Sequence, residues 1–228
     1  LLALLVVSAV VLFSFRGSPL PSLLSLVPVL LANHFQPQVV LLHGSSVRDG
    51  KVSLGVEVNI LPAAIEAAKK NGGIVVVQSN PQMPYTFGDG EISVDDVDYL
   101  IEVDEPLTEA PEIPLNDTSL EIGSLIASRV SNGSTLQLGI GAIPDSVLSA
   151  LKDRKGLRIW TEMFSDGVLD LFKMGVLDPD ILLTASFIFG SQELYEWLNL
   201  NRRVQMLRTE RTNDPSNIAK QAKMQSIN

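Results

Sequence analysis

From residue 135 onward the chain alternates short apolar runs with segments of helical composition, and this alternation limits the folds open to it. "TLQLGI", "GLRIW", "ILLTASF" and "RVQML" are short runs bounded by turn residues, as strands are. "PDSVLSALK", "GVLDLFKM" and "QELYEWLN" fall between them with helical spacing, and Pro215 suits the first position of a final helix. Strands alternating with helices imply a doubly wound, mostly parallel sheet, whose ligands lie at the carboxyl ends of its strands.

The first half carries the same signals more sparsely. "PQVVLLHGS" and "GGIVVVQSN" are β-branched and turn-bounded, which predicts buried strands, and "VDYLIEVD" predicts a third. "LPAAIEAAKK" predicts a helix stopping at Asn71-Gly72-Gly73. Residues 104–117 hold three prolines and five acids and read as a linker. The expected organisation is therefore two open α/β domains, residues 1–104 and 118–228, joined by residues 105–117, with residues 1–30 atypical. After the linker, "TSLE" predicts a capping box between Thr118 and Glu121, then a helix burying Leu125, Ile126 and Val130.

Composition excludes several function classes. Of 228 residues, 46% are hydrophobic and 19% charged, which suits a chain with a real core. The formal net charge of -9 leaves no basic stripe for nucleic acid. Cysteine is absent, which removes disulfides, zinc-thiolate sites and a thiol nucleophile and fits a reducing compartment. The expected localisation is cytoplasmic, or mitochondrial in a eukaryote. The apolar run at residues 1–13 falls short of the roughly 20 residues that span a bilayer; it reads as a buried strand-like run in a chain whose true start is missing, with a truncated signal or anchor as the alternative, and no membrane partner is expected. His34 and His43 lie in the first half, far in sequence from Glu162, and no metal site is expected.

Two stretches at the carboxyl edge carry the chemistry. "GIGAIPD" follows a strand and opens a helix, with Gly139 and Gly141 placed like the first glycines of a dinucleotide fingerprint. An NAD-dependent dehydrogenase is therefore one reading, opposed by Pro144 where the third glycine would stand. In "TEMFSDG", Glu162 lies where a strand gives way to a turn, beside apolar Met163 and Phe164. Ser165 or Asp166 is the natural cap of the following helix, which frees Glu162 to act as base, ribose ligand or covalent nucleophile. No second acid stands out as its partner.

The runs "TLQLGIGAIPDSVLSALKD", "TEMFSDGVLDLF", "ASFIFGSQELYEWL" and "TNDPSNIAKQAKMQSIN" resemble the acetyl-CoA hydrolase/transferase family, in particular 4-hydroxybutyrate and butyrate CoA-transferases. "GKVSLGVEVNILPAAIEAAK" and "NPQMPYTFGDGEISVDDVDYLIEVD" resemble its first half. The resemblance implies a chain truncated at both ends, lacking a glycine-rich segment that helps bind CoA, so that it could be an inactive fragment. It implies Glu162 as the nucleophile on an acyl-CoA thioester, with a small carboxylic acid as the second substrate. It further implies CoA as substrate with no bound cofactor, and a homodimer or larger assembly. An acyl-CoA hydrolase is the alternative on the same scaffold. By the same resemblance Gly139, Gly141, Ile143 and Asn213 serve the oxyanion and CoA. Gln82, Met83, Pro84, Gly88, Phe187 and Gly190 line a substrate cleft. Tyr85 and Phe87 stand where many relatives have Arg and His, which bears on the choice of acid.

Overall fold

The computed structural model describes residues 24–111 and 113–227; the apolar run at residues 1–13 lies outside them. After α1 (Val27–Leu30), the first half contains β1 (Val39–Ser45), β2 (Lys51–Ser53), α2 (Leu61–Lys70), β3 (Ile74–Asn80), β4 (Phe87–Gly88), β5 (Glu91–Ser93) and β6 (Tyr99–Glu102). Strands β1, β3 and β6 form a parallel sheet, with Val39 opposite Ile74 and Val76 opposite Tyr99. Strand β2 pairs antiparallel with β5. Four alanines and Ile65 give α2 a low-profile face that packs on the sheet, and its chain reverses where Gly72 takes φ +71°. Gly73 then returns its N–H to the Ala68 carbonyl at 2.8 Å.

Burial of these strands differs from expectation. In β1 and β3 it alternates, and all of β6 is exposed, Tyr99 at 60%. The α2 helix covers one face and leaves the other open, so apolar runs that read as fully buried strands are buried only on alternate residues.

The second half contains α3 (Asp117–Ala127), β7 (Thr135–Leu138), α4 (Ala142–Ser149), β8 (Arg158–Ile159), β9 (Met163–Phe164), α5 (Asp166–Lys173) and β10 (Leu183–Ala185). It continues through β11 (Phe187–Ile188), α6 (Gln192–Leu198), β12 (Val204–Met206), α7 (Thr209–Thr212), α8 (Pro215–Ile218) and β13 (Met224–Ile227). Strands β13, β7 and β8 are parallel, as are β10, β12 and β4. A parallel bridge between Trp160 and Thr184 joins the two sets edge to edge. Strand β4, from the first half of the chain, closes one edge, and β13 closes the other. Strand β13 was not expected, because "MQSI" alternates too briefly to declare itself; its pairing with β7 creates it.

Two local expectations need correction. The capping box at the start of α3 lies between Asn116 and Ser119, with reciprocal hydrogen bonds of 2.9 and 3.0 Å, not between Thr118 and Glu121. The helix begins earlier, and Asn is as good a cap as Thr. The buried face of α3 is Ser119, Gly123 and Ala127, whereas Leu125 is 63% exposed, Ile126 half-buried and only Val130 buried as expected. Small residues face α4 because the helices cross closely. A Cβ on Gly123 would lie 2.6 Å from the Ser146 carbonyl carbon. Beneath the helices runs a contiguous core that includes Leu136, Val147, Ile159, Phe164, Leu171 and Ile188.

Candidate active site

Glu162 lies in the two-residue link between the bridge at Trp160 and β9, and its backbone is held from two sides. Its carbonyl accepts hydrogen bonds from the Ser186 and Phe187 amides at 2.8 and 2.9 Å. The neighbouring Thr161 hydroxyl, fully buried, accepts from the Leu138 amide at 3.0 Å and donates to the Met163 carbonyl at 2.8 Å. That hydroxyl ties the glutamate's segment to the last residue before the glycine loop. A threonine next to the acid therefore sets the loop beside it.

The loop turns at Gly141, whose φ of +112° favours glycine, and α4 begins at the next residue. Ile143 is the second residue of α4, so its N–H is one of the first-turn donors a helix leaves unpaired. Gly139 instead gives its N–H to the Ile227 carbonyl at 2.7 Å. A dinucleotide phosphate would find that donor already used. Ser165 occupies the cap position of α5, but its hydroxyl turns 3.5 Å from Asp145 Oδ1 and does not cap the helix. Asp166 accepts from the Ser191 amide at 3.0 Å, which docks the start of α6.

The structure adds two residues that the sequence did not disclose. The segment Val56–Asn59 lies against β11: Glu57 forms an antiparallel bridge with Phe187, and Ile188 donates to the Val56 carbonyl at 2.8 Å. Val58 and Asn59 donate to the Ser186 carbonyl at 2.8 and 3.2 Å. Glu57 and Asn59 thereby come next to Glu162. Burial raises the Glu162 pKa above its ordinary 4.5, while a hydrogen bond from the Asn59 side chain opposes the rise. The Glu57 pKa is pushed up to about 7, first by burial and then by the charge of Glu162. Its Oε2 and the Asn59 Oδ1 are buried without a hydrogen-bond partner among the described residues. The expectation that Glu162 has no acidic partner is thus overturned. The two glutamates lie 105 positions apart in sequence, and only strand pairing brings them together.

Other expected site residues divide into two groups. Phe187, half-buried, bridges Glu57 and stacks on Phe189 at a centroid distance of 6.2 Å. Asn213 ends α7 next to Thr212, whose hydroxyl is 2.6 Å from the Ser186 hydroxyl and whose carbonyl accepts from the Trp160 indole at 3.0 Å. Both therefore adjoin the strands that hold Glu162. Gln82 belongs elsewhere, donating to Asp104 Oδ1 at 2.7 Å beside the end of the first sheet. Met83 and Pro84 are buried, with the Met83 side chain against Gly55. Gly88 lies in β4, so close to the Met206 carbonyl that a Cβ would collide with it. Gly190 packs against Asp166 and Leu194 and donates to the Tyr195 hydroxyl at 3.3 Å.

Comparison with known proteins places the chain in a family. Residues 18–110 match the acetyl-CoA hydrolase/transferase N-terminal domain, and residues 190–228 match the corresponding C-terminal domain. The chain is 40% identical over 185 residues to a 4-hydroxybutyrate coenzyme A transferase from Clostridium kluyveri, covering 78% of this chain and 42% of that protein. It is 42% identical over 171 residues to a succinyl-CoA:cyclohexane-1-carboxylate CoA transferase from Geobacter metallireducens, covering 72% and 38%. The crystal structure of a 4-hydroxybutyrate CoA-transferase from Porphyromonas gingivalis superimposes with a TM-score of 0.83 at 37% identity, covering 89% of this chain and 53% of that one. The chain spans about half the length of the relatives it matches. Among the described residues no helix is long and apolar enough to cross a membrane.

Proposed function

Because the chain belongs to the acetyl-CoA hydrolase/transferase family, we propose that the whole protein moves CoA between an acyl-CoA and a small carboxylic acid, with Glu162 as nucleophile. The observation that carries this reading is a half-buried glutamate whose carbonyl is held by the Ser186 and Phe187 amides and whose neighbour Thr161 is tied through its hydroxyl to Leu138, the residue before a glycine turn that opens a helix. Desolvation strengthens a carboxylate as a nucleophile, and the fixed backbone removes the freedom it would otherwise lose on attack.

In the first step the Glu162 carboxylate oxygen attacks the thioester carbonyl and CoA thiolate leaves, forming an acyl-glutamyl anhydride. The thiolate then attacks the glutamyl carbonyl and the acyl carboxylate leaves, so that Glu162 carries CoA as a thioester. A second carboxylate reverses the sequence. Each tetrahedral intermediate places negative charge on an oxygen, and the first-turn amide of Ile143 and the side chain of Asn213 are the donors proposed to meet it. CoA enters as a substrate throughout. Phe187 supplies an apolar wall, and Gly139 and Gly141 supply backbone that comes close without a side chain. We also propose a homo-oligomer, dimer or larger, in a reducing compartment such as the cytoplasm; light scattering on the purified protein tests the assembly.

The test of the nucleophile is chemical. After incubation with acetyl-CoA and reduction with borohydride, a glutamyl-CoA thioester leaves an alcohol on the peptide containing Glu162. That mass change is expected in the wild type and absent from Glu162→Ala. Modification at another acid, or none in the whole protein, refutes the assignment. Adding butyrate or 4-hydroxybutyrate then separates transfer from hydrolysis, because an acceptor acid regenerates an acyl-CoA and water does not.

A further inference from the structure

The Glu57–Glu162 pair has no role in the steps above, yet its placement bears on the second substrate. Glu57 is on the segment preceding α2, Glu162 on the link before β9, and β11 lies between them, bridged to Glu57 through Phe187 and bonded to Glu162 through the Ser186 and Phe187 amides. Among the described residues, Glu162 is the charged group that bears on Glu57. The elements between the two contribute Ser186, Phe187 and Met163, none of them ionisable, and Asn59 from Glu57's own segment bonds Glu162. Among the described residues no cation therefore compensates a second negative charge here. The Glu57 Oε2 is buried with no donor among the described residues to satisfy it as an anion, a costly state that a proton relieves.

We propose that Glu57 governs access of the second substrate to Glu162: the pair holds a single proton, Glu57 keeps it, and the site thereby stays open to an anionic carboxylic acid. The inference rests on Glu162 being the nucleophile. In the resting protein the pair carries one negative charge, on the group that attacks. Once Glu162 is a CoA thioester, the pair is neutral, and the incoming carboxylate meets no like charge. The thioester also removes the smaller of the two causes that hold the proton on Glu57. Burial, the larger, remains, so Glu57 stays protonated at the moment the acid arrives. No proton moves during transfer: the acid's oxygen forms the new bond to the glutamyl carbonyl carbon, the C–S bond breaks, and CoA leaves as thiolate. Once the pH passes its ionisation in the thioester form, Glu57 repels the acid, while attack of Glu162 on acyl-CoA proceeds without it.

The experiment compares the whole protein with Glu57→Gln, which keeps the shape and cannot ionise. In the wild type the KM for the acid should rise about 10-fold across the two pH units centred on the Glu57 ionisation in the thioester form, which lies below the value of about 7 in the resting protein because the Glu162 charge is gone. In Glu57→Gln it should change less than about 2-fold over the same range. Formation of the borohydride-trapped Glu162 adduct from acyl-CoA should follow the same pH dependence in both. Parallel KM profiles in the two proteins overturn the proposal, as does a pH effect confined to adduct formation. Carbon-13 NMR of glutamate carboxyls reads the pair without any turnover: a resonance titrating near neutrality should vanish in Glu57→Gln and shift its midpoint downward in Glu162→Gln. An unchanged midpoint in Glu162→Gln overturns the shared proton. A protein that shows the coupled titration and no Glu162 adduct refutes the nucleophile and leaves the pair intact.

Discussion

Replacing Glu57 by Gln should change how stability depends on pH, and the size of the effect follows from where the carboxyl is buried. Glu57 ionises at about 7 in the folded chain and near 4.5 when unfolded. Between those values the folded chain binds a proton that the unfolded chain has released. This contribution to stability is therefore complete below pH 4.5, falls across the window, and is gone above about 7. The separation corresponds to at most about 3 kcal/mol. His43, whose pKa burial lowers, tilts the curve the opposite way, so the informative quantity is the difference between two proteins. Urea unfolding at pH 5 and pH 8 should show the wild type losing about 2–3 kcal/mol more than Glu57→Gln between the two conditions. Equal losses, within about 0.5 kcal/mol, would refute the reasoning, because they would mean that Glu57 is solvated enough to ionise normally.

Two further perturbations test how the site is held. Thr161→Val keeps the shape but leaves the Leu138 amide without its 3.0 Å acceptor; it should cost about 1–3 kcal/mol in urea unfolding and slow trapping at Glu162. Gly123→Ala puts a methyl group 2.6 Å from the Ser146 backbone, and should lower stability by about 1–3 kcal/mol through overpacking while leaving the pH response of Glu57 unchanged.

Most elements were legible because their signals are local. The α2 helix ends at Asn71-Gly72 as read, since a left-handed turn there needs glycine. Strands β1, β3, β7 and β12 follow apolar runs whose length and flanking turns distinguish them from helices. Glu162 stood out because an acid between two apolar residues and a strand end is unusual on chemical grounds alone. Its link to the loop was also nearly legible, since Thr161 is adjacent, although nothing in the sequence says that its hydroxyl reaches Leu138.

What the sequence could not disclose depends on distance along the chain. Glu57 reads as an ordinary acid near a helix start; it becomes a partner of Glu162 only because β11 pairs with β9 on one side and bridges residue 57 on the other. The burial of α3 was misread for a related reason. Hydrophobicity chose Leu125 as an inward residue, but the closeness of α4 admits only Ser119, Gly123 and Ala127. The amino-acid sequence by itself determined the alternation of elements, the turn chemistry and the identity of the chemically conspicuous acid, because propensity and capping act within a few residues. Tertiary structure decided which face of each element is buried and which charges meet, because desolvation and Coulomb interaction depend on distance in space and have no period in the chain.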